Sequence, residues 1–132
     1  MNHANSPTRR RILLADDDES LQNLVKRAVE KDGHELIGVT EAASVLTVAA
    51  SSQPDAIVLD IEFPGADGRD LLARLKADPR TSRIPVIVWS GRRSNESDSR
   101  ISLELGAEDY VEKNDPALLI RKLERVLLRV LG

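Results

Sequence analysis

Polar residues that could do chemistry follow short apolar runs at four places in this 132-residue chain: the acidic run Asp16–Glu19, Asp60, Ser90 and Lys113. Three carboxylates held close together repel one another, and all stay ionised at neutral pH only when a cation lies among them. Ligands that are all oxygen favour Mg²⁺ or Mn²⁺. If the fold brings Asp16, Asp17 and Asp60 together, the sequence predicts a site for a divalent cation.

The same set of residues suits phosphoryl transfer. A hard divalent cation accepts phosphate oxygens, while Lys113 supplies a positive charge and Ser90 a hydrogen bond. Asp60 is the candidate nucleophile because it stands alone at the end of its apolar run. Aspartyl phosphates are established covalent intermediates of this chemistry.

Composition excludes several other kinds of site. The chain has no cysteine and only two histidines, which rules out disulfides and thiolate chemistry and leaves little for a histidine-rich metal site. The net charge of −3 and the presence of only three aromatic residues disfavour direct binding of nucleic acid. No apolar run reaches the roughly eighteen residues of a membrane span, and residues 1–11 lack the apolar core of a secretory signal. We therefore expect a cytoplasmic protein.

The elements that must position these residues alternate along the chain. Continuous apolar runs predict buried strands, and apolar residues at i, i+3, i+4 and i+7 predict helices. Asp115-Pro116 predicts a cap followed by the first turn of the last helix, and Asp18 and Glu19 fit the N-terminus of the first helix better than a metal site. The predicted strands are 12–15, 35–39, 56–60, 85–90 and 107–111. The first predicted helix carries apolar residues from Leu21 to Val29 and ends before Gly33, and the other predicted helices are 41–52 (capped by Thr40), 69–77, 95–105 and 116–131.

Five such units predict one α/β domain over residues 10–132, a doubly wound, five-stranded parallel sheet with helices on both faces. Residues 1–9 are expected to form a flexible tail. In an open parallel sheet, ligands bind outside the carboxyl ends of the strands. All the candidate residues above end or follow a strand, so we expect them to converge at one edge.

Four segments carry a resemblance to a known family. They are ILLADDD at 12–18, VLDIEFPGADG at 58–68, VIVWSG at 86–91 and GAEDYVEK at 106–113. In this order they resemble the receiver domain of two-component response regulators, and the resemblance runs from Arg11 to Leu131. It implies a flavodoxin-like fold and a role in phosphorelay signal transduction.

The resemblance also implies residue roles. Asp60 would accept a phosphoryl group from a histidine kinase or a phosphotransfer protein, with Ser90 and Lys113 contacting its oxygens. Ser90 and Tyr110 would then move together and change a surface read by a downstream protein, whose identity the sequence does not give. The implied holders of Mg²⁺ or Mn²⁺ are Asp16, Asp17, Asp60 and the backbone carbonyl of Glu62.

Two local features modify this picture. Glu62 and Arg92 lie two residues after the phosphoacceptor and after the switch hydroxyl, and we predict an ion pair between them that modulates the lifetime of the phosphorylated form. Asn114 follows Lys113 where the family usually has proline. A cis bond before a residue other than proline costs about 3 kcal/mol, so we expect the Lys113–Asn114 bond to be trans.

Three functions compete. The first is a stand-alone phosphoacceptor domain with no enzyme activity beyond its own phosphorylation and dephosphorylation, because the chain stops after the last helix. The second is a receiver-like interaction module that works without phosphorylation, which the Lys113–Asn114 step keeps open. The third is a phosphatase similar to haloacid dehalogenases, with Asp60 as nucleophile and Glu62 as acid.

Overall fold

The fold is a five-stranded parallel sheet with the strand order β2-β1-β3-β4-β5. This computed structural model describes residues 9–63, 65–91 and 96–131. The strands are β1 (Arg11–Ala15), β2 (Glu35–Val39), β3 (Ala56–Asp60), β4 (Val86–Ser90) and β5 (Asp109–Glu112). The helices are α1 (Glu19–Lys31), α2 (Val45–Ser52), α3 (Gly68–Ala77), α4 (Glu96–Glu104) and α5 (Pro116–Leu131).

Two apolar layers enclose the sheet, and alternation along each central strand divides its side chains between them. In β1, Leu13 and Ala15 face α2 and α3, whereas Ile12 and Leu14 face α1 and α5. Strands β3 and β4 are buried along their whole length. The doubly wound sheet that the apolar runs predict is confirmed.

Caps at the helix ends agree with the sequence pattern. The Asp18 carboxylate accepts hydrogen bonds from the amides of Ser20 and Leu21, so Asp18 caps α1 as predicted. The Asp115 carboxylate accepts from the Leu118 amide at the start of α5. These caps fix the directions in which both helices leave the carboxyl edge of the sheet.

Two of the predicted boundaries that the structure corrects have a clear physical cause. The predicted last strand began at Ala107, but the Ala107 amide bonds to the Ser102 carbonyl of α4, and pairing with β4 begins at Asp109. The predicted second helix began at Glu41, but residues 42–44 form a 3₁₀ turn before α2. That turn begins after Glu41 without a side-chain cap, so Thr40 does not cap the helix.

Within the described ranges, no helix has the length and apolar character needed to cross a bilayer. The predicted tail falls almost wholly outside the described residues, as does Arg92.

Candidate functional site

The carboxyl ends of four parallel strands meet at one edge of the sheet and form the candidate site. The chain leaves β1 toward β2 on one side and reaches β3 on the other, so the ends of β1 and β3 flank the point where the strand order reverses. Ligands of open α/β sheets bind at such a point. Asp16 follows β1 here, and Asp60 is the last residue of β3.

Asp16, Asp17 and Asp60 form a carboxylate cluster at this edge. One oxygen from each lies within 4.8 Å of the others. Asp16 and Asp60 are buried, whereas Asp17 is exposed. The arrangement offers a cation two anchored ligands and one at the solvent side, and this donor set fits Mg²⁺ or Mn²⁺.

Hydrogen bonds hold the two buried carboxylates in place. The Asp16 Oδ1 atom accepts from the Asp18 amide at 2.8 Å, and the Asp60 Oδ1 atom accepts from the Glu62 amide at 2.8 Å. Each carboxylate is therefore fixed by the backbone two residues further on. The second oxygen of each points toward Lys113.

Lys113, directly after β5, bridges the two buried carboxylates. Its Nζ atom lies 2.7 Å from Asp16 Oδ2 and 3.0 Å from Asp60 Oδ2. The same ammonium lies 5.7 Å from the centre of the buried Trp89 ring. The lysine ammonium therefore compensates charge on both carboxylates.

The environment changes the pKa of both partners. Burial raises the pKa of Asp60, against the lowering effect of the Glu62 amide and of Lys113, while the charge of Asp16 adds to the rise. Burial lowers the pKa of Lys113, but its hydrogen bonds to Asp16 and Asp60 and the charges of these carboxylates outweigh burial, so that pKa is raised. The site therefore disfavours the Asp60 anion and favours the Lys113 cation.

The Lys113–Asn114 bond is trans, since the described residues contain no cis peptide bond. The expectation of a trans bond is confirmed, and the lysine still reaches both carboxylates. With Asn114 as the next residue, Lys113 thus lies within the site.

Ser90, at the end of β4, is buried and donates a hydrogen bond from Oγ to Glu62 Oε1 at 2.7 Å. The sequence pattern paired Glu62 with Arg92 instead. Spacing along the chain could not reveal the Glu62–Ser90 contact, because it depends on how far the loop after β3 reaches over the end of β4. The predicted ion pair with Arg92 lies outside the described residues.

Tyr110 lies in β5 beside Val88 of β4 and is half-buried against the apolar layer that contains α2 and α3. It shares that layer with Leu105, which directly follows α4. The structure therefore places Tyr110 close to α4. The structure describes one arrangement of Ser90 and Tyr110, so their coupled movement stays a prediction.

Comparison with known proteins decides the family. The family model described as "Response regulator receiver domain" matches residues 12–124, most of the chain. The chain is a response regulator receiver domain. Its doubly wound fold and its acidic pocket for a divalent cation agree with that assignment.

Individual relatives support the assignment of this chain to the receiver domain family. The phosphate regulon transcriptional regulatory protein PhoB of Pseudomonas aeruginosa is 35% identical over 120 residues, which cover 89% of this chain and 52% of PhoB. The chain thus spans about half the length of the curated relatives it matches. The Mn²⁺-bound response regulator Rcp1 is 30% identical, with a TM-score of 0.74, and the match covers 87% of this chain and 91% of Rcp1. The BeF₃-activated receiver domain of Klebsiella pneumoniae RstA is 27% identical, with a TM-score of 0.79, and the match covers 89% of this chain and 97% of the RstA domain.

Proposed function

We propose that Asp60 is the phosphoacceptor of this receiver domain and that Lys113 and Ser90 bind the phosphoryl oxygens. The observation that carries the proposal is the Lys113 ammonium, which lies within 3.0 Å of both Asp16 and Asp60 at the edge where ligands bind. A group attached to an Asp60 oxygen would therefore be formed within reach of a fixed positive charge.

The transfer needs little beyond positioning and charge. A carboxylate oxygen of Asp60 attacks phosphorus, the new O–P bond forms, and the N–P bond to the donor histidine breaks. The electron pair of that bond goes to the histidine nitrogen, so Asp60 reacts as a carboxylate and loses no proton in the step. Lys113 stabilises the charge that spreads over the phosphoryl oxygens.

Asp16, Asp17, Asp60 and the Glu62 carbonyl are the residues that would hold Mg²⁺ or Mn²⁺. The bound ion would supply charge neutralisation and a binding position for a phosphoryl oxygen. Because Lys113 contacts the same two buried carboxylates, its ammonium would have to give up part of this contact for an ion to be held there. The residues present thus fit both an apo state compensated by lysine and a loaded state.

Signalling would follow from a change of partner for Ser90. A phosphoryl group brings about two negative charges and three acceptor oxygens, and it competes with Glu62 for the Ser90 hydroxyl. Release of Ser90 from Glu62 would let β4 and Tyr110 readjust beside α4. Glu62 would thereby set how readily the switch responds, and Glu62 and Arg92 together would modulate the lifetime of the phosphorylated form.

The proposed donors are a histidine kinase or a phosphotransfer protein, and the proposed reader is a protein that contacts the altered surface. We propose no enzymatic activity on external substrates. A stand-alone role, a cytoplasmic location and the absence of direct nucleic-acid binding stay predictions of the sequence.

Incubation with acetyl phosphate and Mg²⁺, followed by intact-protein mass spectrometry, tests the proposal. We expect one added phosphoryl group in the parent and none in Asp60→Asn. A matched control is Asp70→Asn, which removes an exposed carboxylate on α3 that pairs only with Arg74 among the described residues; it should be phosphorylated like the parent.

Two other outcomes point to the competing functions. Failure of the parent to become phosphorylated would favour an interaction module that works without phosphorylation. Release of many phosphates per protein molecule from a phosphomonoester would favour a phosphatase.

A further inference from the structure

Gln22 of α1 makes its hydrogen bonds to the backbone at the ends of β1 and β2. Its side chain is buried, and its Nε2 atom donates to three backbone carbonyls: Asp16 at 3.0 Å, Leu14 at 3.1 Å and Val39 at 3.2 Å. A primary amide has only two N–H groups, so these carbonyls share donors. The Gln22 side chain thus makes hydrogen bonds to the ends of both β1 and β2.

The side-chain amide of Gln22 binds where the hydrogen-bonded pairing of β1 with β2 ends. The last paired residues are Ala15 and Val39, after which the Asp16 amide still bonds to the Val39 carbonyl at 3.0 Å. Beyond that point the backbone turns toward α1. Gln22 supplies the donor for the Asp16 carbonyl, a buried group that would otherwise lose a hydrogen bond.

Gly38 of β2 makes room for this amide. A Cβ atom built at residue 38 would collide with the Gln22 Oε1 atom. The backbone of Gly38 is not in the left-handed region that favours glycine, so the missing side chain and not an unusual φ explains the residue. Two residues on different elements therefore fit each other at the base of the acidic site.

We propose that Gln22 is a positioning residue for the cation site, with Gly38 as the residue that admits its amide. The proposal rests on the proposed function of Asp16 as a metal ligand. By holding the Asp16 carbonyl, Gln22 fixes the backbone from which the Asp16 and Asp17 carboxylates project. Groups that orient metal ligands typically contribute tenfold to a hundredfold in metal affinity.

The test measures the Mg²⁺ dissociation constant by Trp89 fluorescence, and the free energy of unfolding in urea without metal. Gln22→Met keeps the length of the side chain and removes both donors. We expect it to bind Mg²⁺ about tenfold more weakly, while phosphorylation by acetyl phosphate at saturating Mg²⁺ stays at the parent's rate. An unchanged dissociation constant in folded Gln22→Met would overturn the inference.

Val25→Ala is the matched control, because Val25 is buried on the same helix within the apolar layer that contains α1 and α5. It should lower stability without changing the affinity for Mg²⁺, which separates positioning from general destabilisation. If Gln22→Met does not fold, Gly38→Ala decides: weaker Mg²⁺ binding supports the inference, and parental binding contradicts it. If the parent itself binds no Mg²⁺, the proposed function fails, and this inference fails with it.

Discussion

Lys113→Met removes the cation that compensates two buried carboxylates, and we expect it to destabilise the metal-free protein at pH 7. The Lys113 ammonium lies 2.7 Å from Asp16 and 3.0 Å from Asp60, and its side chain is only 18% exposed. Removing one partner of a buried ion pair typically costs 3 to 5 kcal/mol. Because Asp60 can escape part of this cost by binding a proton, we expect a loss of about 3 kcal/mol.

Mg²⁺ should reduce that loss. In the variant no ammonium competes for Asp16 and Asp60, so the ion should bind more tightly than in the parent. At saturating Mg²⁺ the stability gap between parent and variant should narrow by about 1.4 kcal/mol for each tenfold gain in affinity. Urea unfolding with EDTA and with excess Mg²⁺ measures both effects.

Lys122→Met is the control for losing a lysine. Lys122 on α5 makes an ion pair of 2.7 Å with the half-exposed Asp109. Such a pair contributes at most about 1 kcal/mol, and the loss should not depend on Mg²⁺. Equal stability of Lys113→Met and the parent without metal, or a gap that Mg²⁺ leaves unchanged, would refute the electrostatic account of the site.

Three further predictions follow from the same contacts. Asp60→Asn should raise the free energy of unfolding at pH 7 without metal, because burial raises the pKa of Asp60 and so disfavours its anion in the folded state; chemical denaturation measures this. The folded-state pKa of Lys113 is raised above its ordinary value of 10.5, so the Lys113 charge contributes fully to stability below pH 10.5, and this contribution is lost as the pH rises through the folded-state pKa. Unfolding titrations at alkaline pH should show this loss in the parent and not in Lys113→Met. Thr81→Val should cost about 1 kcal/mol, because it removes a buried 2.6 Å hydrogen bond to the Leu75 carbonyl; Mg²⁺ affinity measured on the same sample should stay parental.

The sequence was most informative where one physical rule dominates. A continuous apolar run is typical of a strand that is buried on both faces. The positions of β1, β3 and β4, and of the residues at their ends, therefore follow from the sequence pattern. Once the sheet is parallel, the convergence of Asp16, Asp60, Ser90 and Lys113 at one edge follows from topology.

Details that depend on competition between contacts escaped prediction. Ala107 is apolar enough for a strand, yet its amide completes the C-terminal turn of α4, and the sheet begins two residues later. Glu62 accepts a hydrogen bond from Ser90, which lies 28 positions further along the chain, so local spacing could not identify this partner. The fit between Gln22 and Gly38 joins residues sixteen positions apart, with no periodic signal to mark it.

The most direct test of the phosphoacceptor site follows Trp89 fluorescence during titration with Mg²⁺ and then with beryllofluoride. Trp89 is fully buried and lies under the Lys113 ammonium, so displacement of the lysine should change its emission. We predict a Mg²⁺-dependent change followed by a second change on adding beryllofluoride in the parent, and loss of the second change in Asp60→Asn. A beryllofluoride response of equal size in Asp60→Asn, or no response to either ligand in the parent, would contradict the account.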